Sequence, residues 1–301
     1  MQPSLVVIGS SNTDMVIQAM RIPVPGETIL GGNFFMNPGG KGANQAVAAA
    51  RLGGKVTFIC KTGNDLFGAK AIELFRSEGI DTRFIVEDKD HPSGVALITV
   101  NQDGENSIVV ASGANGWLKP DDIKQAEAII RSARYILVQL EIPLDTVAYI
   151  ADLATHYNVK LILNPAPACA VSNELLRRVS IITPNESEAE LLTGVTIHST
   201  PSAEEAARSL QAKGIETVII TRGEAGALLL HKNIITHVPA VKVKAVDTTS
   251  AGDVFNGALM VALSEGKAME EAVSFACTAS AIAVTRLGAQ SSAPYRNELS
   301  N

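Results

Sequence analysis

Short apolar runs rich in β-branched residues alternate with helical segments through most of this chain, and that succession admits few architectures. The runs at residues 5–9, 56–60, 135–139, 160–163, 181–183 and 217–221 show little polar alternation. Strands buried on both faces read this way, because helices cover a parallel sheet above and below. Between them a helical pattern fills residues 41–52, 67–77, 120–131, 144–157 and 203–213, with Gly53, Gly79 and Gly214 as stops. Glycine just past the last helical residue is the usual terminator. The expected fold class is therefore α/β, a doubly wound and mainly parallel sheet flanked by helices.

Residues 15–37 and 92–111 break the succession. Both alternate like strands, and Asn101-Gln102-Asp103-Gly104 reads as a turn. The pattern suits one small β-sheet standing off the main domain as a lid, or two unrelated surface hairpins. The expected division is a core of residues 1–14, 38–91 and 112–301, with the lid formed by 15–37 and 92–111.

A hydrophobic content of 46% excludes a disordered chain, and a net charge of −6 argues against nucleic acid and anionic lipid as partners. Cys60, Cys169 and Cys277 are widely spaced, as in a reduced cytosolic protein rather than a disulfide framework. His91, His156, His198, His231 and His237 form no pair at zinc-ligand spacing. Met1-Gln2-Pro3-Ser4 lacks a basic region, and the apolar run behind it is too short for a signal sequence. The charge-free stretch 272–285 reads as a buried helix, since a membrane span needs about 20 apolar residues. The expected location is cytoplasmic.

Four clusters could carry chemistry. Gly39-Gly40-Lys41-Gly42-Ala43-Asn44 opens a helix, where glycines let backbone approach a ligand or make a tight turn. It is neither a Walker A loop nor a dinucleotide fingerprint: no Ser or Thr follows Lys41, and no third glycine follows Gly42. Near the other end a strand at 241–246 is expected to run into Asp247-Thr248-Thr249-Ser250-Ala251-Gly252-Asp253 and a helix. There Ala251, Gly252 and Asp253 would present three unpaired N–H groups to an anion. Asp253 itself reads as a helix cap or as a catalytic carboxylate. Thr183-Pro184-Asn185-Glu186 has capping-box spacing, which leaves Asn185 and Glu188 for solvent or for Mg2+ held through water. Finally Asn12, Thr13 and Asp14 after the first strand, and Glu141 after another, suit a polyhydroxylated ligand. All four clusters fall at strand carboxyl ends, where open α/β sheets bind ligands.

Taken together, Gly39–Asn44, Asp247–Asp253 and Asn185-Glu186-Ser187-Glu188 resemble the signatures of the ribokinase-like (PfkB) carbohydrate kinases, and the likeness extends over essentially the whole chain. The resemblance implies ATP-dependent phosphorylation of a sugar's primary hydroxyl, with D-ribose at O5 as the expected acceptor. It implies Asp253 as base and Ala251, Gly252 and Asp253 as anion hole. Asn12, Thr13, Asp14, Gly40, Lys41, Gly42, Ala43, Asn44, Glu141 and Asp253 would meet the sugar. Asn185, Thr221, Arg222, Gly223, Glu224, Ala225, Gly226, Gly252, Asp253 and Cys277 would meet ATP. Glu188 would hold Mg2+ through water. Asp247, Thr249, Ala283, Arg286, Gly288 and Ser292 would supply oxygens for an activating K+. A homodimer through an apolar face of the lid is also implied.

Ser250 stands where that family usually has Gly or Ala, and Cys277 where some members have His. Asn12-Thr13-Asp14 keeps the asparagine of the ribose-specific members, where deoxyribose-specific ones often differ, so the resemblance implies a sugar with a 2-hydroxyl. The alternatives are another small-sugar or nucleoside kinase, such as a deoxyribokinase or fructokinase, and a non-catalytic sugar-binding protein.

Overall fold

In the computed structural model, which describes residues 4–299, eight strands pair into one sheet. Met1, Gln2 and Pro3, read above for a targeting signal, lie outside the described residues. Across the sheet the order is Ile234–Val238, Ala227–His231, Thr217–Thr221, Ile181–Ile182, Lys160–Leu163, Tyr135–Val138, Ser4–Ile8 and Lys55–Ile59. From Thr217–Thr221 to Lys55–Ile59 every pairing is parallel, while the hairpin Ala227–His231/Ile234–Val238 is antiparallel. Register levels the strand ends: Ile8 pairs with Ile59 and Val138, and Leu163 with Val138 and Ile182. The residues that follow, Gly9, Gln139, Asn164 and Thr183, therefore share one edge.

Each sheet face carries its own apolar layer. Helices Lys41–Arg51, Ala251–Ser264 and Met269–Ala283 supply Ala46, Val47, Leu259, Val261 and Val273 to one. Helices Leu144–His156 and Thr200–Ala212 supply Val147, Ile150, Ala206 and Leu210 to the other. Burying each larger aliphatic chain contributes roughly 1.5–3 kcal/mol, so the carboxyl edge rests on a stiff platform. Helix Lys41–Arg51 lies close on Ala251–Ser264 because Gly257 has no side chain: a Cβ there would come within 2.7 Å of the Gln45 carbonyl. That crossing brings the two ligand-facing helix starts together.

A separate four-stranded sheet has the order Phe34–Gly39, Asn12–Gln18, Gly94–Val100, Asn106–Ala111. The two stretches that interrupt the α/β pattern thus meet in one sheet. It begins at Asn12, so Asn12, Thr13 and Asp14 belong to a small-sheet strand rather than to the end of the first core strand. Asn115 ties the crossings: its Nδ2 donates to the Ser11 carbonyl (3.1 Å) and Asn12 Oδ1 (2.8 Å), and its Oδ1 accepts from the Ser11 N–H (2.9 Å).

Two local expectations are corrected, and one element is new. Residues 241–246 form no strand; no neighbouring strand is there to pair with, and Val241, Val243 and Val246 stay exposed. The helix expected at 120–131 is two, Pro120–Lys124 and Glu127–Ser132, interrupted at Gln125-Ala126. The edge hairpin was not anticipated. Its turn places Lys232 and Asn233 at φ 49° and 64°, a left-handed geometry usually signalled by glycine, which this turn lacks. Among the described residues no helix is long and apolar enough to cross a membrane.

Candidate active site

Helix Lys41–Arg51 starts from Gly40, whose φ of 89° favours glycine and whose missing Cβ leaves room for the Asn12 N–H, 2.7 Å from where it would lie. The tight turn and the ligand-facing start coexist here. Gly42 and Ala43 pack inward against the Ser10 loop and core, away from the cavity described next. Lys41 lines that cavity, and Asn44 is buried beside it, bonded to Asp253.

Helix Ala251–Ser264 begins from Ser250, which is in the left-handed region at φ 63°. Its N–H groups correct the expectation of three unpaired donors: Ala251 N–H makes a long turn bond to the Thr248 carbonyl (3.3 Å). Gly252 and Asp253 N–H have no acceptor among the described residues, as the first turn of a helix leaves them. Asp253 is not a cap. Its buried carboxylate accepts from Asn44 Nδ2 (2.9 Å) and Gln45 Nε2 (3.0 Å), and at 3.2 Å from Ser250 Oγ. The Ser250 hydroxyl thus bonds the central carboxylate.

The capping box is also displaced. Asn185, not Thr183, caps helix Glu186–Thr193; its Oδ1 accepts from Glu188 N–H (2.8 Å) and Glu188 Oε2 accepts from Asn185 N–H (2.9 Å). Glu186 is thereby released to pair with Arg222 at 3.0 Å, so that guanidinium turns toward the helix surface. Thr183 Oγ1 donates to Asn256 Oδ1 (2.6 Å).

A cavity of about 160 Å³ opens over the carboxyl edge. Of the residues singled out from sequence, Lys41, Asn185, Glu188, Thr221, Ala251, Gly252 and Asp253 line it. Glu141 does not line it but lies next to Lys41, accepting from Lys41 N–H (3.0 Å) and from Ser10 Oγ. Asn12 and Asp14 share one face of their strand, and alternation turns Thr13 to the other. Gly223, Glu224 and Ala225 form an exposed turn after Thr221, and Gly226 is buried behind it. Cys277 packs in the apolar layer, where burial pushes its thiol up to about 11.

A second cluster lies beside the helix start. Asp247 Oδ1 accepts from Thr249 N–H and Oδ2 from Gly288 N–H, both at 2.9 Å. Although burial opposes its charge, these bonds hold its carboxyl below the usual range. Arg286 N–H bonds the Ala283 carbonyl (3.0 Å), its guanidinium pairs with Glu298, and buried Ser292 donates to the Ala289 carbonyl (2.8 Å).

Electrostatics concentrate at Lys41. Burial opposes its charge, yet Asp253, Glu141, Glu188 and Asp14 outweigh that and hold its ammonium above the usual range. Burial raises Asp253, against Lys41, Asn44 and Gln45, and pushes Asp14 up to about 6 with help from Glu141 and Asp253. Burial likewise raises Glu188, against the Asn185 N–H.

Sequence reading missed Gln45, Asn164 and Asn256. Asn164, Asn256, Thr183 and Ala166 line the cavity, and Gln45 bonds Asp253 and Asn164 from below. One signal was present: Gln45 interrupts an alanine-rich apolar run, and Gln139 and Asn164 follow buried strands directly.

A mainly parallel sheet with a small second sheet, and a polar cavity at two helix starts, define an α/β protein built to receive an anionic ligand at its strand ends. The chain belongs to the pfkB family of carbohydrate kinases, whose family model matches residues 2–296. It is 48% identical over 298 residues to a ribokinase of Haemophilus influenzae, covering 99% of this chain and 97% of that protein. A deoxyribokinase of Salmonella typhi is 38% identical over 291 residues, with 96% and 95% covered. Among solved structures, Arabidopsis thaliana ribokinase complexed with ribose and ATP is similar at a TM-score of 0.92 and 32% identity, with 99% and 98% covered.

Proposed function

We propose that this chain transfers the γ-phosphoryl group of ATP to O5 of D-ribose, giving D-ribose 5-phosphate and ADP. The observation that carries the reading is the buried Asp253 carboxylate beside the unbonded Gly252 and Asp253 N–H groups, at one wall of a polar cavity. Phosphoryl transfer through a loose transition state asks mainly for alignment and charge stabilisation, which a helix start and Lys41 supply. Asp253 takes the hydroxyl proton as the O–P bond forms, a contribution of about 10²–10⁴-fold.

Asn12, Asp14, Gly40, Lys41, Asn44 and Glu141 take the sugar. Asn44 supports this with a buried Oδ1 that has no hydrogen-bond partner, an acceptor left for a substrate hydroxyl. ATP lies along Asn185, Thr221 and the turn Arg222–Gly226 toward Gly252. Glu188 fits a divalent cation: it is buried in the cavity wall, and only its Oε2 is taken by backbone. Mg2+ bound with ATP would supply Lewis-acid neutralisation of phosphate charge. The ionised Asp247 against the turn 283–288 offers hard oxygens that fit an activating K+.

In the same reading the small sheet closes over the sugar and excludes water. It also pairs two subunits through the face that carries its exposed Leu97 and Val109. The cytoplasm suits the free Cys60, Cys169 and Cys277.

Ribose is favoured over 2-deoxyribose by the buried Asn12 beside Asp14. The test is ATP consumption with ribose, 2-deoxyribose, fructose and adenosine, each in K+ and in Na+. The expected result is the highest kcat/KM for ribose, with lower activity in Na+. A higher kcat/KM for another acceptor overturns the sugar, indifference to the ion overturns the K+ site, and no consumption with any acceptor overturns the kinase.

A further inference from the structure

We propose that Gln45 is a positioning residue for phosphoryl transfer: it fixes the Oδ1 edge of Asp253, so that Oδ2 is the oxygen that receives the sugar's proton. The inference rests on Asp253 being the base.

Gln45 has no solvent exposure, an unusual state for a polar side chain in the middle of a helix. Its Nε2 donates both protons, to Asp253 Oδ1 and to Asn164 Oδ1, each at 3.0 Å. Its Oε1 accepts from Gln139 Nε2. The amide orientation is thereby decided, because a flipped Gln45 would turn its NH₂ on the NH₂ of Gln139 and its oxygen on a carboxylate.

The bonds continue past Gln45. Asn164 Nδ2 donates to the Thr183 carbonyl (3.3 Å), and Thr183 Oγ1 to Asn256 Oδ1 (2.6 Å). Asn256 Nδ2 donates to the Gly252 carbonyl (2.8 Å), which returns the ring to the helix start that carries Asp253. The carboxylate is thus gripped on one side by a closed, buried network.

Its other side is different. Oδ2 accepts from Asn44, whose own Oδ1 has no partner, and from Ser250, which lines the cavity. Those donors can turn toward an arriving sugar, while the Gln45 bond has no alternative. The fixed edge holds the rotamer, and the cavity edge does the chemistry.

The other charges facing Asp253 come from four directions. Lys41 lies on the helix that bears Gln45, Asp14 on the small sheet, Glu141 on the loop after Tyr135–Val138, and Glu188 on helix Glu186–Thr193. None of them is altered by exchanging Gln45. Removing its donor therefore isolates one hydrogen bond to the carboxylate, an interaction that shifts proton affinity by about one pH unit.

The experiment compares kcat against pH, and sugar KM, in Gln45→Leu, Gln139→Leu and Asp253→Asn enzymes. For Gln45→Leu the acid limb of kcat is expected to move up by about one unit, with kcat up to about tenfold lower on the acid side of the limb, recovering above it, and sugar KM within about threefold. Gln139→Leu, which only loosens Gln45, is expected to move the limb the same way by less. An unmoved limb in Gln45→Leu overturns the proposal, whether kcat is normal or is reduced equally at every pH. If Gln45→Leu does not fold, Gln139→Leu decides, and an unmoved limb there overturns it. Asp253→Asn separates the underlying reading: an active Asp253→Asn enzyme removes the base itself, whereas an inactive one with an unmoved Gln45→Leu limb removes only the role of Gln45.

Discussion

The eight-stranded sheet is covered on both faces, whereas strand Asn106–Ala111 of the small sheet is exposed along its whole length. What they bring to the surroundings of Asp253 differs accordingly. The large sheet ends in Gln139, Asn164 and Thr183, which are buried and joined by hydrogen bonds. From the small sheet come Asn12 and Asp14 on a single strand, held at its root by Asn115. Buried polar groups must be paired, so the first region can place a charge only inside a completed network. The second keeps its apolar rows in solvent and owes its place to a few crossing strands. One half is built to hold a proton acceptor still, and the other to present a surface.

The largest effect expected from this contrast is at Asp253. Asp253→Asn should lower kcat by about 10²–10⁴-fold in steady-state assays. The exchange is sterically mild, because Asn44 can flip its amide and offer its unpaired Oδ1 to the new NH₂. Stability should move the opposite way. Burial raises the folded-state proton affinity of Asp253 and of Asp14, the latter from 3.8 to about 6. Groups raised in this way favour the folded state at low pH and lose that contribution as pH rises through the raised value. Thermal melts should therefore show Asp253→Asn more stable than wild type at pH 8, with the gap closing toward pH 4. A variant no more stable at pH 8 would mean that the network already offsets the cost of the buried charge.

The platform was legible in sequence because its signals are local. Unbroken β-branched runs, glycine stops and clusters at strand ends all reflect single elements, and Lys41, Glu188, Gly252 and Asp253 came with them. The failures were non-local. Val241 and Val243 alternate with Lys242 and Lys244 as a strand does, yet a strand requires a neighbour and none lies beside them. Thr183 and Glu186 have the spacing of a capping box, but Thr183 is drawn to Asn256, and Asn185 takes the cap. Gln45, Gln139 and Asn164 are unremarked amides until three elements converge on one carboxylate.

An intermediate effect should come from the small sheet. Leu97 and Val109 are direct partners across neighbouring strands and are 55% and 66% exposed. Placing glutamate at both positions puts like charges opposite each other at a cost of at most about 1 kcal/mol to the sheet. It should nevertheless abolish a subunit contact built on that face. Sedimentation of the double variant should give a monomer where wild type gives a dimer, with a few-fold rise in sugar KM. Identical sedimentation coefficients would leave the apolar face without its proposed partner and weaken the contrast drawn above.

The smallest effect should be at Cys277, which sequence resemblance put beside the nucleotide and which lies on helix Met269–Ala283 with its side chain in the apolar layer. A thiol raised to about 11 is a neutral, small apolar group at working pH. Cys277→Ala should therefore lower stability by about 1 kcal/mol through the lost sulfur contacts. KM for ATP should stay within about twofold. Histidine is larger and polar, so Cys277→His should lower Tm further while still sparing KM. A tenfold rise in KM for ATP with an unchanged Tm would instead make Cys277 part of the binding surface. The covered sheet would then contribute through its apolar layer as well as through its polar edge, and the division between a platform that holds and a surface that meets ligand would have to move one layer inward.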